Sequence, residues 1–428
     1  MKKIPIPEGT ETKFFYMGEN ILGEVPACLA EAFPGKSPWI VADENTWKAA
    51  GEETDRQLRR AGVACHKPFI FPGHPIMHAS EALARQVADA MPEGCVPLAV
   101  GSGTINDLVK RASGLKKVPY CCLGTACSVD GYTSSGAALL VDGYKKTMPC
   151  PPPFAVIADT AVLSAAPKPM FAGGYADLLA KVYGGADWVI ADEIGIEAIN
   201  GPVWSLTQDH LREWLSDSSN FFNIFQGLCC TGYGMQLYHE SRPASGAEHL
   251  FSHVWEMEKL RFNGESVSHG FQVGIGMLLS AQLQGFIVDF DRAQAEKIAK
   301  APVTRAERRE EIERLLSRGC YGAAAETADE KFLEGDAALE RRKLIFDHWE
   351  KLRERIRRQF MPVDELRSIL RSAGCPATHR EIGLSDEQYL HAVPAAQLIR
   401  KRYTCLDLLY EAGLLDAAVE RIASALEK

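Results

Sequence analysis

The sequence predicts an α/β domain over residues 1–166, built on a parallel sheet, followed by an all-helical domain over residues 167–428. Three observations predict this. At 428 residues the chain is longer than one ordinary core organises, so two domains are expected. Up to about residue 165, short and nearly all-apolar runs alternate with helical patterns, as in a parallel sheet covered on both faces. After Pro167 and Pro169 strand signals become scarce, and helical periodicity dominates to the C-terminus.

Residues 39–43 (WIVAD), 97–100 (PLAV), 118–123 (VPYCCL) and 154–159 (FAVIAD) read as the strands of the first part. Residues 139–145 read as a hairpin. In the second part, Thr304 and Glu307 form a capping-box pattern at the head of a charged helix over 307–317. Residues 339–360 read as one long amphipathic helix. Two more helices, 396–412 and 414–426, close the chain, with Gly413 as the cap between them. The longest apolar stretch, 271–290, is interrupted by Gln272, Gln282 and Gln284 and reads as a buried core helix, not a membrane span. Charge runs such as 305–314 read as solvated helix faces.

With 46% hydrophobic and 24% charged residues, the chain has the composition of an ordinary globular protein rather than a disordered one. A net charge of −9 argues against a nucleic-acid partner, which calls for a basic face, but allows a local basic pocket for an anionic substrate. The twelve cysteines are scattered and form no CxxC, and the N-terminus lacks the apolar stretch of a signal peptide. Reduced thiols in a cytoplasmic enzyme are the expectation.

Three segments carry chemistry. In the first, an apolar run enters Gly101-Ser102-Gly103, and a helix begins near Thr104 to Asn106. Glycines there let backbone N–H groups approach a pyrophosphate at a helix N-terminus, although an ordinary βα turn reads the same way. In a common Rossmann unit the ribose-binding acid follows the loop by about 20 residues. Here the best candidate, Asp43, precedes it, which argues against a plain Rossmann dehydrogenase. The second segment, 124–136, is rich in hydroxyls and glycines and suits either the wall of a cofactor channel or a ligand-free turn. Asp130 within it is placed to reach a substrate hydroxyl. The third is a constellation. Asp177 follows Gly173-Gly174 at what reads as the start of a helix, where N-capping is its plain alternative role. His249 and His253 share one helix face, and His269 stands ahead of an apolar helical run. Two imidazoles and a carboxylate hold a divalent metal with positions left open, and zinc, nickel and iron all tolerate this set. A metal beside a nicotinamide means carbonyl reduction or alcohol oxidation.

These residues lie in blocks that resemble the sn-glycerol-1-phosphate dehydrogenases, part of the wider iron-containing alcohol dehydrogenase and dehydroquinate synthase-like superfamily. The blocks are GSGTINDL (101–108), SVDGYTSSGAALLVDGYKKTMP (128–149), AAPKPMFAGGYADLLAKVYGGADW (165–188), SRPASGAEHLFSHVWEME (241–258) and HGFQVGIG (269–276). No motif is matched after residue 290. The resemblance implies a dehydroquinate synthase-like fold: a Rossmann-like domain, then a helical metal-binding domain. It implies metal ligation by Asp177, His249 and His269. Dinucleotide contacts are implied for Asp43, Gly101, Gly103, Thr104, Ile105, Asn106, Asp107, Thr125, Ala126, Cys127, Ser128 and Ser134. Asp130, Asp177 and His253 would face the substrate. One departure is Gly124 before Thr125, where the family usually shows proline. The implied reaction is reversible reduction of dihydroxyacetone phosphate, a small phosphorylated triose, to sn-glycerol 1-phosphate by NADH or NADPH. The metal would act as a Lewis acid, with His253 or a water it holds supplying the proton. Asp43 on the ribose hydroxyls favours NAD(H) over NADP(H). Lys145, Lys146, Lys181 and Arg242 are candidates for the phosphate, and a homodimer is implied. The rival activities are a metal-dependent dehydrogenase of an unphosphorylated polyol such as glycerol, and a sugar-phosphate cyclase.

Overall fold

The structure is a computed structural model, which describes residues 1–141, 144–317, 321 and 324–427; the 142–143 turn of the predicted hairpin and the side chain of Lys145 lie outside the described residues. The chain forms two compact units. One comprises Met1–Leu178 and Asp209–Ser241, the other Leu179–Gln208 and Arg242–Lys428. The predicted boundary at 166/167 marks where strands give way to helices, whereas the compact units divide further on, inside a helix.

In the first unit, strands β1 (Lys2–Lys3), β2 (Phe14–Gly18), β3 (Ser37–Asp43), β4 (Phe69–Phe71), β5 (Cys95–Gly101), β6 (Cys121–Gly124) and β9 (Ala155–Asp159) form a sheet in the order β1-β2-β9-β6-β5-β3-β4. All neighbours are parallel except β1 with β2. The predicted hairpin is present as β7 (Gly136–Val141) paired antiparallel with β8 (Tyr144–Pro149). All seven residues of β5 are buried, which is why its sequence is a continuous apolar run with no alternation. Helix α1 (Val25–Ala32) lays Val25, Cys28 and Leu29 into a core with Ile40, Leu98, Val100 and Leu123 from the sheet.

Taken in chain order, β3, β4, β5, β6 and β9 occupy the spatial order 2-1-3-4-5. The chain leaves β3 toward one edge, returns, and continues from β5 toward the other. Ligands in open α/β sheets bind where the order reverses, outside the carboxyl ends of the strands. Here that point lies between β3 and β5, paired with Val41 opposite Ala99. Asp43 therefore ends one strand of the switch point, and Gly101 ends the other. The acid precedes the glycine loop in sequence because its strand is the first of the five.

Among the described residues, the regular elements of the second unit are helical apart from the two-residue strands β10 (Arg261–Phe262) and β11 (Glu265–Ser266). Helix α2 (Lys168–Glu193) starts in the first unit and continues into this one. Against its later turns pack α3 (Ala247–Met257) and α4 (His269–Asp289). Helix α4 is long and apolar enough to cross a membrane, but 89% of its apolar window is buried within the protein. It is the predicted core helix. The amide nitrogens of its glutamines are used: Gln272 donates to the Val267 carbonyl, Gln282 to the Tyr389 hydroxyl and Gln284 to Asp187.

The capping box of Thr304 with Glu307 is present, and Gly413 caps the preceding helix in the left-handed region. Two predicted helices are broken. The 339–360 segment forms Asp336–Asp347 and Trp349–Gln359, separated at His348. The 396–412 segment forms the end of Asp386–Leu398 and then Cys405–Ala412, which Thr404 and Asp407 start with a capping box.

Glu193, whose side chain is 1% exposed, meets His348 at the break and Lys351 and Arg355 on the helix beyond it, at 2.7–2.9 Å. Burial alone would raise this carboxyl; hydrogen bonds from Lys351, Arg355 and His348 outweigh it and hold the group down at about 2. A carboxylate lowered on folding stabilises the protein above its unfolded pKa of about 4.5, and that stabilisation disappears as pH falls towards 2. Glu193→Gln is expected to cost on the order of 1–2 kcal/mol at pH 7, with both proteins converging as pH approaches 2. Urea unfolding of both at pH 7, 4.5 and 3 checks this; a pH-independent difference would refute it.

Candidate active site and metal centre

Helix α5 (Gly103–Lys116) opens directly behind the glycine loop, and its N-cap, Ser102, makes no side-chain capping bond. The first N–H groups of α5 thus lack the side-chain acceptor that usually covers them. Gly101, Gly103, Thr104 and Ile105 are at this end. Asn106 is buried: its amide donates to the Tyr132 carbonyl at 3.2 Å, and its carbonyl accepts from the Tyr120 hydroxyl at 3.1 Å. Asp107 accepts from the Ala138 N–H at 3.1 Å. The loop after β6 holds Thr125, Ala126, Cys127 and Ser128, and the Thr125 N–H donates to the Gly101 carbonyl at 3.1 Å, joining the two loops. Ser134 is buried and receives the Lys110 ammonium at 3.2 Å, while Lys110 also reaches the Gly131 and Gly136 carbonyls. Asp43 uses Oδ1 to cap the next turn, accepting from the N–H groups of Asn45 and Thr46 at 2.8 Å.

Asp177 is fully buried, nine residues into α2, so it is not the helix cap that its position after Gly173-Gly174 suggested. Those glycines have a different origin. A Cβ on Gly174 would stand 2.1 Å from the Cys127 carbonyl oxygen, so the helix approaches the β6 loop at backbone contact. The Asp130 N–H from the same loop donates to Asp177 Oδ2 at 3.0 Å.

His249 and His253 lie on α3 and His269 opens α4, whose cap Ser268 accepts from the Phe271 N–H. Asp187 of α2 fixes these helices together, accepting from Ala247 N–H, the Gln284 amide and Cys405 N–H at 2.7–3.0 Å. Burial, reinforced by Glu248, lifts Asp187 to about 6. One ligand atom each from Asp177, His249 and His269 falls within 4.8 Å of the other two. Ligands at about 2.1 Å from one shared ion stand roughly 3–4 Å apart, a spacing this group approaches.

Carboxylates stand behind both of these imidazoles. His249 Nδ1 meets Glu248 Oε1 at 2.9 Å, and His269 Nδ1 meets Glu256 Oε1 at 3.2 Å. Such partners set the ring tautomer and direct Nε2 to the metal. Burial would raise Glu248, but His249 and the Gly246 N–H hold it below the usual range. His253 is 28% exposed and lies 3.4 Å from Glu256 Oε2. Burial holds its imidazolium well below the usual range despite Glu256. Of the phosphate candidates, Lys146 is exposed and Lys181 is buried. Arg242 is committed to the Tyr403 and Asp187 carbonyls and to Glu197.

A family model described as iron-containing alcohol dehydrogenase matches residues 16–167. Glycerol-1-phosphate dehydrogenase [NAD(P)+] of Bacillus velezensis is 30% identical over 391 residues, covering 89% of this chain and 86% of the relative. The chain belongs to the glycerol-1-phosphate dehydrogenase family. The enzyme of the same name from Geobacillus thermodenitrificans is 36% identical over 246 residues, which is 55% of this chain and 61% of that protein. Among solved structures, glycerol dehydrogenase from Schizosaccharomyces pombe covers all of this chain and 94% of its own, at 15% identity and a TM-score of 0.58; this similarity speaks for the fold. The sequence reading of this family member missed Glu248 and Glu256. Their signals were present: a glutamate directly before His249, and another three residues after His253.

Proposed function

We propose that this chain catalyses the reversible NAD(P)H-linked reduction of dihydroxyacetone phosphate to sn-glycerol 1-phosphate with a divalent metal. The observation that carries it is the convergence of Asp177, His249 and His269 within 4.8 Å, in a chain related along nearly its whole length to such a dehydrogenase.

The dinucleotide is held at the switch point between β3 and β5. Asp43 Oδ2 accepts from the ribose hydroxyls, which disfavours a 2′-phosphate and favours NADH. The N–H groups of Gly103, Thr104 and Ile105 face the pyrophosphate at the start of α5. Thr125 to Ser128 line the cofactor from the neighbouring loop. Asn106, Asp107 and Ser134, with side chains engaged in the hydrogen bonds above, act by holding those loops in place. Asp177, His249 and His269 hold the ion, a role that zinc, nickel and iron all fit. When bound, it supplies Lewis-acid polarisation of the substrate oxygen.

Asp130 holds the Asp177 carboxylate through its N–H and turns its own carboxylate to a substrate hydroxyl. His253, unprotonated at neutral pH, takes the hydroxyl proton at Nε2 in alcohol oxidation and returns it in reduction, directly or through water. The chain works as a cytoplasmic homodimer without a nucleic-acid partner. The free state of the described cysteines and the charge of −9 support the compartment and the lack of nucleic acid, and the family resemblance supports the dimer.

The test is NADH consumption by the metal-loaded protein with dihydroxyacetone phosphate and, separately, dihydroxyacetone. The expected kcat/KM ratio favours the phosphate ester by on the order of 10²-fold or more. Equal use of both would identify a polyol dehydrogenase, and phosphate-ester turnover without net NADH loss would identify a cyclase.

A further inference from the structure

Glu256 meets two of the site's histidines at Nδ1. It lies on α3, three residues after His253, and projects to the start of α4. Its Oε1 is 3.2 Å from His269 Nδ1, and its Oε2 is 3.4 Å from His253 Nδ1. Its side chain is 13% exposed, against 22% for His269 and 28% for His253. Glu248, by comparison, meets His249 alone among the histidines and turns to the Gly246 N–H with the same oxygen.

We infer that Glu256 is a positioning residue that fixes both the metal ligand His269 and the proton-relay residue His253, so that one carboxylate sets two imidazole tautomers. The reason is the donor and acceptor inventory. A carboxylate offers acceptors on both oxygens, so it can take an Nδ1–H from each ring. Both imidazoles then carry their proton on Nδ1 and present a lone pair at Nε2. For His269 that lone pair is the ligand atom, and for His253 it is the site that receives the substrate proton. An amide of the same shape has one acceptor and one donor. With glutamine at 256, only one ring can keep its Nδ1–H bonded. The other must accept from the amide at Nδ1, which moves its proton to Nε2 and blocks the working atom.

The inference rests on the metal reading of Asp177, His249 and His269, and its test reports the two separately. Zinc affinity is measured by chelator competition, without substrate, for the wild-type protein, Glu256→Gln and Glu256→Asp. Melting temperatures of the metal-free proteins are recorded alongside. Wild-type protein that binds no zinc would remove the metal reading itself. If it binds, Glu256→Gln is expected to lose on the order of 10–100-fold in affinity with the metal-free melting temperature unchanged, and Glu256→Asp to recover part of the loss. Wild-type affinity in Glu256→Gln overturns the tie to His269.

The tie to His253 is read at saturating zinc. Glu256→Gln is expected to lower kcat with little change in the KM for NADH. Placed in a His253→Ala background, where the relay is already gone, it should lower kcat no further while still weakening zinc. An equal fall in kcat in both backgrounds overturns that tie. If Glu256→Gln lowers the metal-free melting temperature as well, Glu256→Asp carries the test, and its failure to weaken zinc overturns the inference.

Discussion

Asp177→Ala and His269→Ala are each expected to lose bound metal and turnover together, with kcat/KM falling on the order of 10³-fold or more. On the proposed assignment each residue supplies one of three protein ligands, so its removal leaves two, too few to hold a divalent ion against water. For Asp177 the loss is compounded, because its carboxylate is fully buried and also accepts the Asp130 N–H. Asp177→Asn separates these contributions. It keeps an acceptor for Asp130 but removes the charge, so metal should weaken while the loop stays in place. Metal per chain after gel filtration, measured beside the steady-state rate, checks all three. A variant that retains both metal and full rate would contradict the assignment.

Gly276→Ala and Gly285→Ala, on the same helix, are expected to change stability in opposite directions. A Cβ on Gly276 would stand 2.4 Å from the Glu248 carbonyl oxygen, a backbone atom of α3 that cannot rotate away. The helices would have to separate, at a cost of about 1–3 kcal/mol or more. Glu248 immediately precedes His249, so the same displacement moves one proposed ligand from the others. A Cβ on Gly285 meets only the Phe360 ring edge at 3.4 Å, an ordinary contact. There alanine should gain up to about 1 kcal/mol from helix propensity. Thermal unfolding of the metal-free proteins, paired with zinc affinity, checks both. Loss of zinc affinity is expected only in Gly276→Ala.

The sequence shows why some of this was legible. β5 and β9 are buried on both faces, so their apolar runs are unbroken and stand out. β2 and β4 were not read as strands; β4 has only three residues, two of them not fully buried. The apolar residues Ile345, Trp349, Leu352 and Ile356 keep helical spacing straight through His348, so nothing local marks the break there. Asp177 was legible as a ligand candidate, and the structure places it well inside its helix and not at the start. The two glycines before it imitate a turn, whereas Gly174 is there for the Cys127 carbonyl. Asp43 looked out of order relative to the glycine loop because strand order is a tertiary property. The carboxylates behind the histidines were visible only as spacing, and their meaning came from the packing of α4 beside α3.

The central claim is tested most directly by removing the metal with a chelator and following NADH oxidation with dihydroxyacetone phosphate as zinc, nickel or iron is added back. Activity is expected to vanish in the stripped protein and to return in proportion to bound metal, saturating at one ion per chain. A full rate in metal-free protein would contradict the account.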